Sequence, residues 1–258
     1  MPSKEVTDRS KSAGAVTASI EAHAPAASAS IVGMFKRVLH RGETMPDVAF
    51  TLTLFGRLLK VDNDALVTAD DTHEDEKADD AAPRNTRDAS AATVREACVH
   101  ARDGVSTVYG EAALRALGMA AAPPAVNDGV ALVRWATTAA TKLEDAAITL
   151  PRAAKRGVSV DRAALAEGIR EKLPTLAEAI TDVERERREL EATQAAKNAA
   201  MERNDKSFAL VANVASAVFE AAGMPDQAAK VRPSVRRPGR VESPEDNSSN
   251  GGGGTGTQ

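Results

Sequence analysis

IREKLPTLAEAITDVERERRELEATQAAKNAAMERNDKSFALVANVASAVFEAA, residues 169–222, decides the fold of this chain. Positions stepping alternately by four and three run through it: Ile169, Leu173, Leu176, Ile180, Val183, Arg187, Leu190, Gln194, Lys197, Met201, Asn204, Phe208, Val211, Ala215, Val218 and Ala222. A mean step of about 3.5 residues keeps one helical face turned toward a partner helix. At about 1.5 Å per residue the stretch predicts a rod of roughly 80 Å. The seam is apolar at both ends and polar in the middle, where Arg187, Gln194, Lys197 and Asn204 stand where leucine is usual.

Composition agrees with an all-helical chain. Of 258 residues, 43% are hydrophobic and only 3% aromatic, so the aromatic and β-branched runs that build sandwiches and barrels are scarce. Ala, Leu, Glu, Arg and Lys fill the middle, and these lose least side-chain freedom in a helix. A net charge of −4 gives no global case for nucleic acid or membrane. No apolar run reaches 18 residues, and the N-terminal sequence lacks a basic cap followed by an apolar core. One cysteine, Cys98, rules out a disulfide within the chain and suits a reducing compartment, so the cytoplasm is expected.

Working outward, residues 1–28 are rich in Ala, Ser and Thr with no periodic apolar face, and are expected to be disordered. Residues 29–232 are expected to form an elongated antiparallel bundle of coiled-coil-like hairpins. Ile31–Gly42 reads as a short amphipathic helix with Gly42 as a left-handed cap. Long helices follow at about 47–81, 86–117, 127–147 and 160–222. Ala82-Pro83 predicts a turn between the first two, Gly104 a kink in the second, and Pro174 a bend or a start in the last. Beyond Pro233 a basic and then Gly-rich tail, residues 233–258, is expected to be disordered.

Three constellations carry possible chemistry. The polar centre of the seam has Arg185, Arg188 and Arg203 nearby, and residues 70–80 form the one dense acidic block. The two regions are expected to lie side by side, within one chain or between two, making Arg187, Gln194, Lys197 and Asn204 candidate partner-binding residues. In the tail, Lys230, Arg232, Arg236, Arg237 and Arg240 put five positive charges within eleven residues, a pattern that can follow phosphates or dock on an acidic surface. For a metal, Asp70-x-x-His73 and Glu96-x-x-x-His100 each share a helical face, and a hairpin near residue 84 would bring Asp70, His73, Glu96 and His100 together. No Glu-x-x-His pair of di-iron bundles occurs, so no metal or cofactor is expected.

Catalytic signals are weak. Cys98 lies at an apolar seam position, where a thiol is inert core, and His100 two residues on faces elsewhere. No phosphate-binding loop, nucleophile elbow or dinucleotide fingerprint appears. With histidines at 23, 40, 73 and 100 only, no acid–base set converges, and the chain reads as a non-enzyme.

Ala222-Gly-Met, Lys230-Val-Arg-Pro-Ser and Arg236-Arg-Pro-Gly-Arg, within Phe208–Arg240, resemble the end of an all-helical bacterial family without an assigned activity. Asp79-Asp-Ala-Ala-Pro-Arg is similar to that family's hairpin turn, and the resemblance covers about residues 45–241. It implies a helical fold of open role. The expected function is therefore a helical interaction or scaffold protein acting through the long seam on a protein partner or itself. A nucleic-acid-associated protein using the tail is the first alternative, and a metal-binding bundle the second.

Overall fold

The computed structural model describes residues 3–154 and 157–242. Among them eight helices account for the fold: α1 (Lys4–Phe35), α2 (Val48–Asp79), α3 (Ala81–Tyr109), α4 (Glu111–Ala116), α5 (Gly129–Glu144), α6 (Arg162–Arg170), α7 (Leu173–Ala221) and α8 (Pro225–Val231). The only extended pairing among the described residues is one isolated antiparallel bridge between Pro233 and Val241. The chain is all-α. It divides into two compact units, one made of residues up to Asp75 and from Ala192 onward, the other of Glu76–Glu191.

In the first unit α1, α2 and α7 pack as a three-helix bundle closed by α8. Asp70 and Asp62 of α2 meet Lys197 and Ser207 of α7, so those two helices run antiparallel. Arg9 of α1 meets Asp205, and Ser30 donates to the Ala222 carbonyl, so α1 runs parallel to α7. The core joins Val16 and Ile20 to Leu52, Leu59, Phe208 and Phe219. Burying a side chain of that size stabilises by about 1.5–3 kcal/mol.

The helix over residues 4–35 corrects the expectation that residues 1–28 are disordered and that a separate helix starts at Ile31. Val6, Arg9, Ala13, Val16, Ile20, Ala24, Ala27 and Ile31 are all buried, at steps of three and four. The face was hidden because three of these are alanine and one is a charged arginine. Alanine buries little area but costs nothing in side-chain entropy, and it lets helices approach closely. Ser3 caps α1 by accepting from the Val6 amide, and Pro25 sits on the exposed side.

Helix starts and stops follow local chemistry. Asp47 accepts from the Phe50 amide at the head of α2, Asp128 from Ala131 at α5, and Asp161 from Ala164 at α6. Gly118 and Gly223 take left-handed torsions (φ 71° and 79°), and the following amides of Met119 and Met224 return to Leu114 and Phe219. Gly42 is left-handed (φ 93°), but it is not the helix cap expected from the sequence, because α1 ends at Phe35.

Three boundaries differ from expectation. The turn predicted at Ala82-Pro83 is not a reversal: Asp80 keeps right-handed helical torsions (φ −60°, ψ −22°), and Pro83 lies in the first turn of α3, where no amide donor is needed. The second long helix breaks at Gly110 (φ 74°) rather than kinking at Gly104, giving α3 and α4 in place of one helix over 86–117. The last helix is two, α6 and α7. Pro174 sits at the second position of α7, and the hydrogen bond it cannot make falls at the junction, so it starts that helix.

The second unit surrounds a core of Val94, Cys98, Val105, Leu114, Leu132, Leu143, Ile169 and Leu176. Arg162 donates to the carbonyls of Lys142, Asp145 and Ile148, satisfying the C-terminal end of α5. Arg170 and Glu144 form an exposed two-pronged pair at 2.6 Å. Burial pushes the Cys98 thiol up to about 12, so it stays protonated and inert at neutral pH.

The basic tail is also corrected in part. Residues 233–242 fold back onto the first unit: Ser234 donates its amide to the Arg240 carbonyl at 2.8 Å, Glu242 donates to Arg232 at 2.8 Å, and Arg240 reaches Asp8 of α1 at 3.1 Å. The Gly-rich remainder of the expected tail lies outside the described residues. Gly239 is left-handed (φ 70°), and a Cβ there would collide with Asp205 Oδ1 and crowd Arg9. Gly239→Ala is therefore expected to lower stability by about 1–3 kcal/mol, read as a drop in urea midpoint, whereas Pro238→Ala at the exposed neighbouring position leaves it nearly unchanged.

Candidate interaction face

Two buried polar contacts hold α2 in the first unit. The Asp70 side chain is fully buried; its Oδ1 lies 2.5 Å from Lys197 Nζ, and its Oδ2 accepts the Ser3 amide at 2.5 Å. Burial alone drives this carboxyl up, but the Lys197 ammonium and the Ser3 amide outweigh it, and its pKa ends below the usual value. Glu74 stands 4.0 Å from the same ammonium, and His73 Nδ1 lies 3.2 Å from Thr193 Oγ1. Seven residues further along α7, Asn204 is fully buried, and among the described residues neither of its side-chain amide atoms has a hydrogen-bond partner. Arg9 and Asp205 close the same stretch with a two-pronged pair at 2.8 and 3.0 Å.

These contacts show where the sequence-predicted residues lie. Lys197 and Asn204 are buried, Lys197 against Asp70 of this chain's own α2, and neither is open to an outside partner. The acidic block does lie beside the polar centre: Asp70 and Glu74 meet Lys197 within one chain. Gln194 is half-buried and donates to Asn198; Arg187 is exposed beside Glu191, at 3.5 Å, in the second unit. Of the basic group, Lys230 and Arg232 are exposed, Arg240 is held by Asp8, and Arg236 and Arg237 flank the tip of the folded-back segment.

The metal candidates are not assembled as a hairpin would assemble them. His73 faces Thr193 of α7, and Asp70 is committed to Lys197 and Ser3. Glu96 and His100 belong to the second unit, where both are exposed and line an open cleft with Lys172. Among the described residues, the carboxylates of Glu76, Glu186 and Glu189 approach within 4.8 Å of one another, a grouping the sequence reading did not find.

A feature missed in the sequence lies on the outer face of α2. Leu54 (47% exposed), Leu58 (42%) and Val61 (64%) continue a three–four seam that starts at Thr51 and runs on through Ala65, Thr68 and Thr72. All are exposed except the half-buried Ala65, and none is charged. The three threonine hydroxyls donate back to the carbonyls four residues earlier, those of Asp47, Asp64 and Thr68. Their methyl groups are therefore what the seam presents. It runs over about 32 Å of helix, and among the described residues its members are exposed apart from half-buried Ala65. Phe50, 53% exposed, adds to one edge. The signal was present in the sequence as a second 3.5-residue period, offset from the inward one at Leu52, Gly56, Leu59, the half-buried Asn63, Leu66, Asp70 and His73.

Comparison with known protein families, curated proteins and solved structures finds no match for this chain. Among the described residues no helix is long and apolar enough to cross a membrane.

Two substitutions test the buried polar contacts. Lys197→Met leaves a buried carboxylate with only the Ser3 amide, and is expected to cost about 3–5 kcal/mol at pH 7. The sign follows from the lowered pKa of Asp70: the pair stabilises above the carboxyl's unfolded pKa and is lost as pH falls through its folded pKa. The gap between wild type and Lys197→Met, measured by urea unfolding, thus narrows toward pH 3. Asn204→Leu removes two unsatisfied polar atoms while keeping the same number and branching of side-chain heavy atoms, and is expected to raise the thermal midpoint by several degrees.

Proposed function

We propose that this chain is a non-enzymatic interaction or scaffold protein, and that its working surface is the outer seam of α2. The observation that carries the reading is an uncharged three–four seam left in solvent on a helix whose opposite face is fixed by a buried ion pair. Monomeric proteins seldom expose contiguous apolar surface of several hundred Å² unless it binds something. A preformed helix presenting knobs at Leu54, Leu58 and Val61 suits an amphipathic helix of a protein partner. This relocates the interaction from Arg187, Gln194, Lys197 and Asn204, two of which are enclosed.

The test is affinity purification from source-cell lysate treated with nuclease, comparing the full chain with Leu54→Glu/Leu58→Glu. Both positions are exposed, so circular dichroism and the thermal midpoint should stay near wild type. Protein bound by the full chain is expected to be lost from the double variant. Protein retained by both would remove the seam from the reading, and material that vanishes with nuclease would favour the basic segment instead.

A further inference from the structure

The reading above leaves the occupant of the seam open; resting on it, we infer that the occupant is a second copy of this chain, with the two α2 helices antiparallel. The flanks of the seam decide both points. In heptad terms Thr51, Leu58, Ala65 and Thr72 are a positions, and Leu54, Val61 and Thr68 are d positions. One flank, Phe55, Asp62 and Ala69, is turned to the unit's own interior: Phe55 packs on the core, Asp62 bonds Ser207, and Ala69 packs by Val6, Leu66 and Ala200. The other flank, Phe50, Arg57, Asp64 and Asp71, is exposed along its whole length.

A parallel pair sets the flank before a against the flank after d of its partner, and here the latter is used up inside the fold. An antiparallel pair sets like flank against like flank. The exposed flank then meets its own copy. Centred between Leu58 and Val61, the register opposes Leu58 to the partner's Val61, Leu54 to the partner's Ala65, and Thr51 to the partner's Thr68. Arg57 then stands beside the partner's Asp64, and by symmetry Asp64 beside the partner's Arg57. The same patch complements itself in shape and in charge, as a two-fold interface requires. Asp64 pairs with Lys60, at 2.9 Å with both side chains well exposed, which holds it weakly. Asp71, at the acidic end, falls near the partner's first turn of α2, where the helix dipole favours negative charge. A large body of one sign elsewhere would select a different partner; the self-complementary flank selects a copy.

The experiment is sedimentation equilibrium of the full chain across about 1–100 µM, with charge and cysteine variants. A concentration-dependent dimer is expected. Arg57→Asp and Asp64→Arg should each weaken it by about five-fold or more, because each breaks two symmetric pairs, while Arg57→Asp/Asp64→Arg together should restore it. For orientation, a chain carrying Leu54→Cys is mixed with one carrying Ala65→Cys; the native Cys98 is fully buried and stays silent. Oxidation should join Leu54→Cys to Ala65→Cys chains and leave each alone uncoupled. A monomer at every concentration overturns the inference. So does a dimer indifferent to the charge exchange, or one that couples Leu54→Cys chains to each other. If the chain is monomeric yet the Leu54→Glu/Leu58→Glu variant still loses its lysate partner, the second copy falls and the interaction reading stands.

Discussion

The contact between Asp70 and Lys197 decides what the rest of α2 can do. Helix α2 carries two seams of the same 3.5-residue period, and by hydrophobicity they are nearly equal: Leu52, Leu59 and Leu66 on one, Leu54, Leu58 and Val61 on the other. Area burial alone does not select between them. The carboxylate at residue 70 does, because the only way to bury it without a severe desolvation penalty is to place it against the ammonium of Lys197 and the amide of Ser3. Once that pair forms, α2 cannot rotate, and the other seam is committed to the surface. A buried ion pair of this kind is weak evidence for stability, but it is a strong device for choosing one packing over another.

The remaining polar contacts extend that logic along α7. Asn204 is enclosed with both amide atoms unsatisfied, which costs about 1–3 kcal/mol per group. Arg9 and Asp205 are nearby, and Asp62 with Ser207 stands opposite. A stretch that could have been filled with leucine instead holds groups that tolerate one register only. Helix α1 then has to enter in a fixed orientation, since its own Arg9 must reach Asp205. The folded-back segment over Gly239 covers that pair and explains why a residue without a side chain stands there.

Much of this was legible from residues 169–222. The three–four period fixed a long helix with an inward face, its polar centre pointed to a counter-charge, and residues 70–80 were the dense acidic block that could supply it. What could not be read was anything built from alanine. The buried face of α1 is invisible on a hydrophobicity scale, because Ala13, Ala24 and Ala27 look the same in a core helix as in a solvated segment. Asp79–Arg84 misled for a related reason: proline marks a missing donor, and a missing donor is harmless in the first turn of a helix. The outer seam of α2 was hidden by its threonines, whose hydroxyls count as polar in a sequence but are consumed by their own helix.

That last point bears on why the exposed seam is there at all. Threonine is a poor helix former, and valine or leucine would pack better if the face were core. Lysine or glutamate would serve better if it were plain surface. Back-bonded threonine at Thr51, Thr68 and Thr72 meets neither demand fully. It keeps the ends of the seam soluble when alone, through a small and partly polar side chain, and offers a methyl when covered. The large apolar groups are confined to the centre, at Leu54, Leu58 and Val61, where a partner would exclude water most completely. Such grading, apolar in the middle and convertible at the rim, is what a surface needs if it is to be both exposed and occupied during the life of the protein. A permanent core would have no reason for it.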